Sequence, residues 1–111
     1  MHDTTDHTLI AAYRTGDHEA YAVLVARYEG VVRAACRRQV AGAEIDDCVQ
    51  AVFLVLARRP ASATRVPILA AWLLRVASYV CRRAQRSAGR RTRAERAAAM
   101  ISHVNEATSC D

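Results

Sequence analysis

The sequence predicts an all-α fold, a compact bundle of three main helices with a short helix at its N-terminal end. Apolar residues recur at spacings of three and four along most of the chain, the period of an α-helix with one buried face. Alternating apolar and polar runs bounded by turn residues, which predict strands, are absent from the sequence, and alanine is abundant. With 111 residues, the chain has the length of one domain.

The predicted short helix runs from about Asp6 to Thr15, where Gly16 can end it in the left-handed conformation. Asp17 then has the position of an N-cap for the second helix, which ends near Gly42. The apolar face of that helix carries Tyr21, Leu24, Val25, Tyr28, Val32 and Ala35. These two helices form the front half of the predicted bundle.

The third helix starts near Ala43 and stops before Pro60, because the residue before a proline disfavours the helical conformation. Its inward face carries Ile45, Cys48, Val49, Val52, Phe53 and Leu56. The segment from Arg59 to Arg65 has no periodicity and predicts a loop, and Pro67 suits the first turn of a fourth helix. The inward face of the fourth helix carries Leu69, Trp72, Leu73, Val76, Ala77, Val80 and Ala84.

The end of the chain is predicted to be less regular. The fourth helix weakens at Gly89, and Thr92 and Glu95 have the spacing of a capping box, so a fifth helix is expected from Arg93 to about Val104. Residues 105–111 are expected to fray. We therefore divide the chain into a domain at residues 6–91 and a linker or additional helix with a tail at residues 92–111.

The residue pattern argues against an enzyme or a metalloprotein. The four histidines have no spacing typical of metal or nucleophile sites, and Asp46 and Asp47 point about 100° apart on a helix, so they cannot share a proton. The four cysteines form no CxxC pair and are expected to be reduced, three of them buried in helices. A zinc site at His103 and Cys110 lacks the usual paired spacing. We expect no catalytic residues, no metal and no cofactor.

The location expected of the chain is cytoplasmic. No run approaches the roughly 18 uncharged apolar residues that a membrane-spanning helix needs. Residues 1–6 are acidic and polar, the opposite of a secretory signal peptide. The sequence therefore predicts no membrane partner.

Charge divides the chain into two halves. All 16 basic residues are arginines; residues 1–56 carry 5 of them against 8 acids, and residues 57–111 carry 11 against 3 acids. An acidic half followed by a basic half indicates two different partners, and the basic half has the sign that nucleic acid requires. Arginine also makes bidentate and stacking contacts that lysine cannot make.

Two polar patches are the candidate functional surfaces. The outer face of the third helix carries Glu44, Asp46, Asp47 and Gln50, which also fits an ordinary solvated face. The second patch combines arginines with Trp72 and Tyr79, which lie seven positions apart on one helix face, and this combination suits single-stranded nucleic acid. Its alternative is a solvated basic surface, with Trp72 packed in the core. The arginines of this patch are Arg58, Arg59, Arg65, Arg75, Arg82, Arg83, Arg86, Arg90, Arg91, Arg93 and Arg96.

The order of several motifs resembles one known family. Residues 46–56, DDCVQAVFLVL, resemble the acidic-acidic-x-x-Gln-x-x-Phe helix of region two in bacterial sigma factors of the extracytoplasmic-function type. Parts of residues 9–28 resemble the opening helices of that region, and residues 71–77, AWLLRVA, resemble its Trp-Leu helix, which arginines follow. The similarity covers about residues 6–91.

The resemblance implies a polymerase contact and a DNA contact. Asp46, Asp47 and Gln50 would bind the coiled coil of the RNA polymerase β′ clamp, with Phe53 at the edge of that surface or supporting it from the core. The loop from Arg59 to Val66 would capture a base flipped from the promoter minus-ten element, and the fourth helix would hold the non-template single strand. The implied DNA-binding residues are Arg58, Arg59, Ser62, Arg65, Trp72, Arg75, Tyr79, Arg82, Arg83 and Arg86.

Two departures from the family pattern leave alternatives open. Tyr79 and Arg83 stand where the family commonly has Asn and Asp, so the base preference does not transfer. The chain also stops before the helix-turn-helix of region four, so it is either an excised domain or a natural protein with region two alone. An alternative function is therefore a region-two-only protein that binds polymerase or an anti-sigma factor without initiating transcription, and another is a basic helical DNA-binding protein without polymerase contact.

Overall fold

Five helices make up the described part of the chain. The structure is a computed structural model that describes residues 4–108, with side chains described up to residue 102. The helices are α1 (Asp6–Arg14), α2 (His18–Arg37), α3 (Ala43–Arg58), α4 (Pro60–Ala63) and α5 (Leu69–Thr108). Residues 4–108 contain no strand, so the predicted all-α class is confirmed.

The caps of the first two helices follow the predicted chemistry. The Thr5 hydroxyl accepts a hydrogen bond from the Thr8 N–H at 3.2 Å and caps α1. After α1, Gly16 has a φ of 108°, a conformation that favours glycine. The Asp17 carboxylate then accepts from the N–H groups of Glu19 and Ala20 at 3.0 and 3.3 Å, as expected of an N-cap.

The predicted end of the second helix near Gly42 is wrong, because α2 ends at Arg37. The N–H groups of Gln39 and Val40 both turn back to the carbonyl of Cys36, which closes the helix. Gly42 instead precedes α3 with a φ of 62°, so this glycine starts a helix rather than ending one.

The segment predicted as a loop between residues 59 and 65 contains one helical turn. Arg59 leaves the helical conformation at φ −132° and ψ 53°, and Pro60 then opens α4 at a position that needs no N–H. Pro67 does not lie in the first turn of the next helix as predicted, because α5 begins at Leu69. The short periodicity of a four-residue helix is too weak to be read from sequence.

The predicted weakening of the helix at Gly89 and the separate fifth helix are also wrong. The helix α5 runs through 40 residues, about 60 Å at 1.5 Å per residue. Thr92 does not cap a new helix, since its hydroxyl donates to the carbonyl of Ala88 at 3.0 Å within the same helix. Residues 105–108, expected to fray, belong to α5, and residues 109–111 lie outside the described residues.

The core lies where α2, α3 and α5 pack together, with α1 and α4 against them. Two tyrosine hydroxyls fix α3 in this bundle: Tyr21 donates to the carbonyl of Phe53 at 2.7 Å, and Tyr13 donates to that of Ala57 at 3.0 Å. The buried core residues are Leu9, Ile10, Ala20, Leu24, Val32, Cys36, Cys48, Val49, Val52, Phe53, Leu56, Ala63, Leu69, Trp72, Leu73, Ala77 and Cys81.

Three of the cysteines meet in this core. Cys36, Cys48 and Cys81 come from α2, α3 and α5 and are free and buried, as predicted. Burial raises the pKa of the Cys48 thiol to about 11, and the neighbouring Cys81 thiol acts in the same direction. Thiols in this state are protonated and pack as small apolar groups. Cys110 lies outside the described residues.

Replacing Gly89 by alanine is expected to stabilise the protein by about 0.5–1 kcal/mol, because glycine is costly inside a helix. A Cβ at Gly89 has no atom within 4 Å, so the substitution fits without strain. Circular dichroism at 222 nm and the thermal midpoint measure the change. Gly42→Ala is the control, since its φ of 62° disfavours alanine and should lower stability. A loss of helicity in Gly89→Ala would contradict a continuous α5.

Candidate functional site

The outer side of α3 carries the first predicted site. Asp46, Asp47 and Gln50 are all exposed, and they form what we call the acidic face. Glu44 and Asp46 lie in the first turn of α3, where the helix dipole favours negative charge. The sequence pattern placed these side chains on the surface correctly, because the opposite side of the same helix is apolar.

Within the acidic face, Asp46 has a partner inside the chain. The Arg33 guanidinium of α2 binds the Asp46 carboxylate at 2.6 Å and the Glu29 carboxylate at 2.8 Å. The hydrogen bonds to Asp46 and then Glu29 raise the pKa of Arg33 further above its ordinary value. Among the described residues, Asp47 forms no ion pair. Asp46 is therefore held toward α2, whereas Asp47 is available to an outside partner.

Phe53 does not lie at the edge of the acidic face. Its side chain is buried at 6% exposure, which agrees with the second of the two predicted positions, support from the core. The neighbouring Leu54, which sequence reasoning did not select, is 50% exposed. Leu54 lies four residues after Gln50 and seven after Asp47, so it shares their side of α3. In the sequence, Leu54 could have been recognised as an exposed apolar residue, because it does not fit the three-four spacing of the core residues of α3.

An open groove of about 770 Å³ separates the outer sides of α3 and α5. Its floor is apolar, with Leu54, Val55 and Val76, and its rim is cationic. This combination accepts ligands that carry both an apolar or flat group and a negative charge. The full lining is Ala51, Leu54, Val55, Arg58, Arg59, Arg75, Val76, Tyr79 and Arg82.

The predicted basic residues lie on the exposed side of α5 and around α4. Tyr79 is 52% exposed, and the Arg83 guanidinium lies 5.8 Å from the centre of its ring and donates to its hydroxyl at 3.2 Å. Ser62 is half-buried in α4. The exposed arginines of the predicted set are Arg58, Arg59, Arg65, Arg75, Arg82, Arg83 and Arg86, and none forms an ion pair with another described residue.

The sequence matches the family described as Sigma-70 region 2 over residues 24–91, which is more than half of the 111 residues. The chain belongs to the sigma-70 region 2 family. Domains of this family take part in RNA polymerase binding and promoter recognition and belong to transcription factors rather than enzymes. No curated protein matches the chain.

The region 2 match covers the parts of the structure that carry both surfaces. It begins at Leu24 in α2, includes α3 and α4, and ends at Arg91 within α5. The acidic face, the groove and the predicted DNA-binding residues all lie inside it. The helix α1 and the last 17 residues of α5 lie outside it.

One residue of the predicted DNA-binding set, Trp72, lies in the core of the region 2 domain. Trp72 was placed in the DNA-binding set, with core packing as the alternative, and its side chain is buried at 8% exposure. A ring in this position packs between helices and offers no free face to a base. The apolar residues around it in the three-four pattern, Leu69 and Leu73, are buried as well. Of the two aromatic residues on α5, Tyr79 alone is available for stacking.

Among residues 4–102 of the region 2 protein, no group of three or more histidine, cysteine or acidic side chains is arranged to hold a metal ion. The zinc site considered at His103 and Cys110 lies outside the described side chains. In the part of the chain that the structure describes, no helix is long and apolar enough to span a membrane.

Because Trp72 is buried and Tyr79 is exposed, truncating them to alanine is expected to lower the free energy of unfolding by different amounts. Trp72→Ala is expected to lower the free energy of unfolding by about 3–5 kcal/mol, because it leaves a cavity in the core. Tyr79→Ala is expected to change it by no more than about 0.5 kcal/mol. Urea unfolding followed by circular dichroism measures both values. A cost below about 1 kcal/mol for Trp72→Ala would show that the indole is not packed between helices.

Proposed function

We propose that the chain is the region 2 domain of a sigma factor of the extracytoplasmic-function type, which binds the β′ clamp coiled coil of RNA polymerase core and recognises and melts the promoter minus-ten element. One observation carries the proposal. Two exposed surfaces of opposite charge lie on neighbouring helices of a sigma-70 region 2 domain, and the groove between α3 and α5 has a cationic rim. A protein that joins an enzyme to DNA needs two such surfaces. The chemistry of promoter opening requires no catalytic residue from the protein.

The acidic face of α3 is proposed as the clamp contact. Asp47 and Gln50 make the main polar contacts, because both are exposed and Asp47 has no ion pair with another described residue. Asp46 contributes from its position against Arg33. Leu54 adds an apolar contact beside them, and Phe53 supports the helix from the core. A small apolar centre with a charged and polar rim is typical of specific protein interfaces.

The exposed side of α5 and the segment around α4 are proposed as the contact with the non-template strand. Arg75, Arg82 and Arg86 bind phosphates, and the exposed ring of Tyr79 stacks on an unpaired base. A base flipped from the minus-ten element is captured between the segment from Arg59 to Val66 and the groove, whose rim includes Arg58 and Arg59. Ser62 and Arg65 in this segment are the further candidate contacts.

The free-energy cost of flipping a base out of the duplex and the gain from binding the opened strand are of similar size. Flipping a base out of the duplex costs a few kcal/mol per step. Stacking on an aromatic side chain is worth about 1–3 kcal/mol per base, and the phosphate contacts add an electrostatic term. The proposed surface therefore stabilises the opened strand rather than the closed duplex, which is how binding alone can melt DNA.

Tyr79 and Arg83 stand where the family commonly has Asn and Asp, and they contact each other. The guanidinium of Arg83 lies over the Tyr79 ring, so both family positions are replaced together by a pair with its own geometry. We propose that this pair reads the strand by stacking and phosphate contact. An amide and a carboxylate would instead read it by hydrogen bonds to base edges.

The clamp contact is tested by the double substitution Asp47→Ala, Gln50→Ala. The affinity of the full chain for polymerase core is expected to fall by roughly thirtyfold or more, since hot-spot contacts are worth on the order of 2 kcal/mol. Surface plasmon resonance with immobilised core measures it. Both positions are exposed on a helix, so circular dichroism should be unchanged.

Glu95→Ala is the matched control for this experiment, because it removes an exposed acid from α5 far along the chain from α3. It should bind core like the wild type. Equal affinity of the double variant and the wild type would contradict the clamp assignment. Core binding without promoter opening in a transcription assay would instead support the alternative, an interaction protein that occupies polymerase or an anti-sigma factor.

The strand contact is tested at Tyr79. Tyr79→Ala is expected to weaken binding of the chain–core complex to a mixed-sequence single-stranded 20-mer by about 1–3 kcal/mol, the value of one stacked base. Tyr79→Phe keeps the ring and should retain most of the affinity, although it loses the hydroxyl that Arg83 contacts. Fluorescence anisotropy measures both. If Tyr79→Ala bound as the wild type does, stacking at this position would be excluded.

A further inference from the structure

The groove between α3 and α5 has the size and the lining of a site for a small anionic ligand. Its volume of about 770 Å³ lies within the range of about 300–1,000 Å³ that is usual for ligand pockets. Four of its nine lining residues are arginines, and none of the nine is acidic. The groove therefore combines positive charge with a sheltered apolar floor, which a plain solvated surface does not have.

The four arginines are not spread evenly along the groove. The start of α3 and the middle of α5 line a second, smaller pocket, whereas the end of α3 and the start of α5 line the groove, so the two helices run in opposite directions. Ala51 is the one residue that lines both pockets, and Arg82 lies toward its end of the groove. Arg58, Arg59 and Arg75 therefore lie toward the other end, where three exposed guanidinium groups converge.

The part of the groove next to these three arginines suits a flat ring. Leu54 lies one helical turn before Arg58, and Tyr79 lies one turn after Arg75. The two side chains are 50% and 52% exposed and both line the groove. An aromatic ring stacks on bases of any sequence, and an apolar side chain near it adds contact area.

The arginines of the groove have no anion within the described part of the chain. None of the four forms an ion pair with a described residue. Glu44 and Asp47 line the smaller pocket and not the groove. Because like charges repel, converging guanidinium groups favour a ligand that brings several negative charges to one place. One nucleotide of a DNA strand brings a single phosphate, whereas a phosphate chain brings two or more.

We propose that the groove binds a free nucleoside polyphosphate, with its phosphate chain at Arg58, Arg59 and Arg75 and its base beside Leu54 and Tyr79. The inference goes beyond the proposed function, because the ligand is a free nucleotide and its binding requires neither polymerase nor DNA. The base of the nucleotide occupies the surface proposed for an unpaired base of the strand, so the two ligands compete for Tyr79.

The test uses the full chain alone and ATP that carries a fluorescent methylanthraniloyl group on its ribose. Fluorescence anisotropy follows its displacement by ATP, AMP and inorganic triphosphate without divalent cations, at about 150 mM salt, where exposed charges are screened beyond roughly 8 Å. ATP is expected to bind with a dissociation constant below about 1 mM and at least about tenfold more tightly than either competitor. AMP lacks the phosphate chain, and inorganic triphosphate lacks the base.

Two substitutions separate the phosphate end of the groove from the base end. Arg75→Ala is expected to weaken binding of ATP and of inorganic triphosphate alike, by about tenfold, the value of a hydrogen bond to a charged group. Tyr79→Ala is expected to weaken binding of ATP by about fivefold or more and to leave that of inorganic triphosphate unchanged. Both residues are exposed, and circular dichroism verifies that the helices are intact.

Arg96→Ala is the matched control, because it removes the same charge from an exposed position of α5 about 21 Å along the axis from Arg82. It should leave both affinities unchanged. Equal losses for Arg75→Ala and Arg96→Ala, or equal affinities for ATP and inorganic triphosphate, would reduce the site to net charge and overturn the inference. A dissociation constant for ATP above about 1 mM, with Tyr79-dependent binding of a single-stranded 20-mer, would make the groove a site for the strand alone and would also overturn it.

Discussion

The burial of one side of α3 between α2 and α5 is the constraint on which the rest of the structure depends. Cys48, Val49, Val52 and Leu56 fill this seam, and the hydroxyls of Tyr13 and Tyr21 hold the helix by two of its carbonyls. Because the helical period fixes the other side once the inner side is buried, Asp47 and Gln50 have to face solvent. The presentation of the acidic face follows from packing rather than from any local feature of the acids.

Among the described residues, no ion pair joins the acidic face of α3 to the arginines of α5. Of the described ion pairs, one joins α1 to α2, one lies within α2 and one joins α2 to α3, whereas the arginines of α5 have none with described residues. A protein in which the acids of α3 neutralised the arginines of α5 would have lost both surfaces. Arginines and apolar residues line the groove. Asp47 and Arg91 line a second, smaller pocket between α3 and α5 but form no ion pair with each other.

The sequence predicted the helices and caps well where a side chain acts on its nearest neighbours. Asp17 and Gly16 could be assigned because a cap and a left-handed turn depend on residue type alone. Gly89 could not, since its intrinsic cost of about 1 kcal/mol is offset by the good helix formers on both sides. Gly42 was assigned to the wrong helix because it lies only five residues after the end of α2 and directly before the first residue of α3.

The residues of the candidate site also fall into two groups, those whose exposure the helical period predicts and those whose position depends on how the helices pack. Exposure of Asp47, Gln50 and the arginines was predictable from periodicity, and their roles remain proposals. The burial of Trp72 and the exposure of Leu54 depend on which helix packs where, as does the groove between α3 and α5. The ion pair of Arg33 with Asp46 joins residues 13 positions apart on two helices, so it required the three-dimensional arrangement.

The continuity of α5 links the direction of its distant side chains to the core. Because no hinge lies between Cys81 and Arg93, each residue added or removed in this stretch turns the projecting part by about 100° about its axis. A change of seven residues returns it close to its starting direction, and a change of one or two would aim Arg93 elsewhere. The direction of Arg93 relative to the core therefore depends on the number of residues between Cys81 and Arg93.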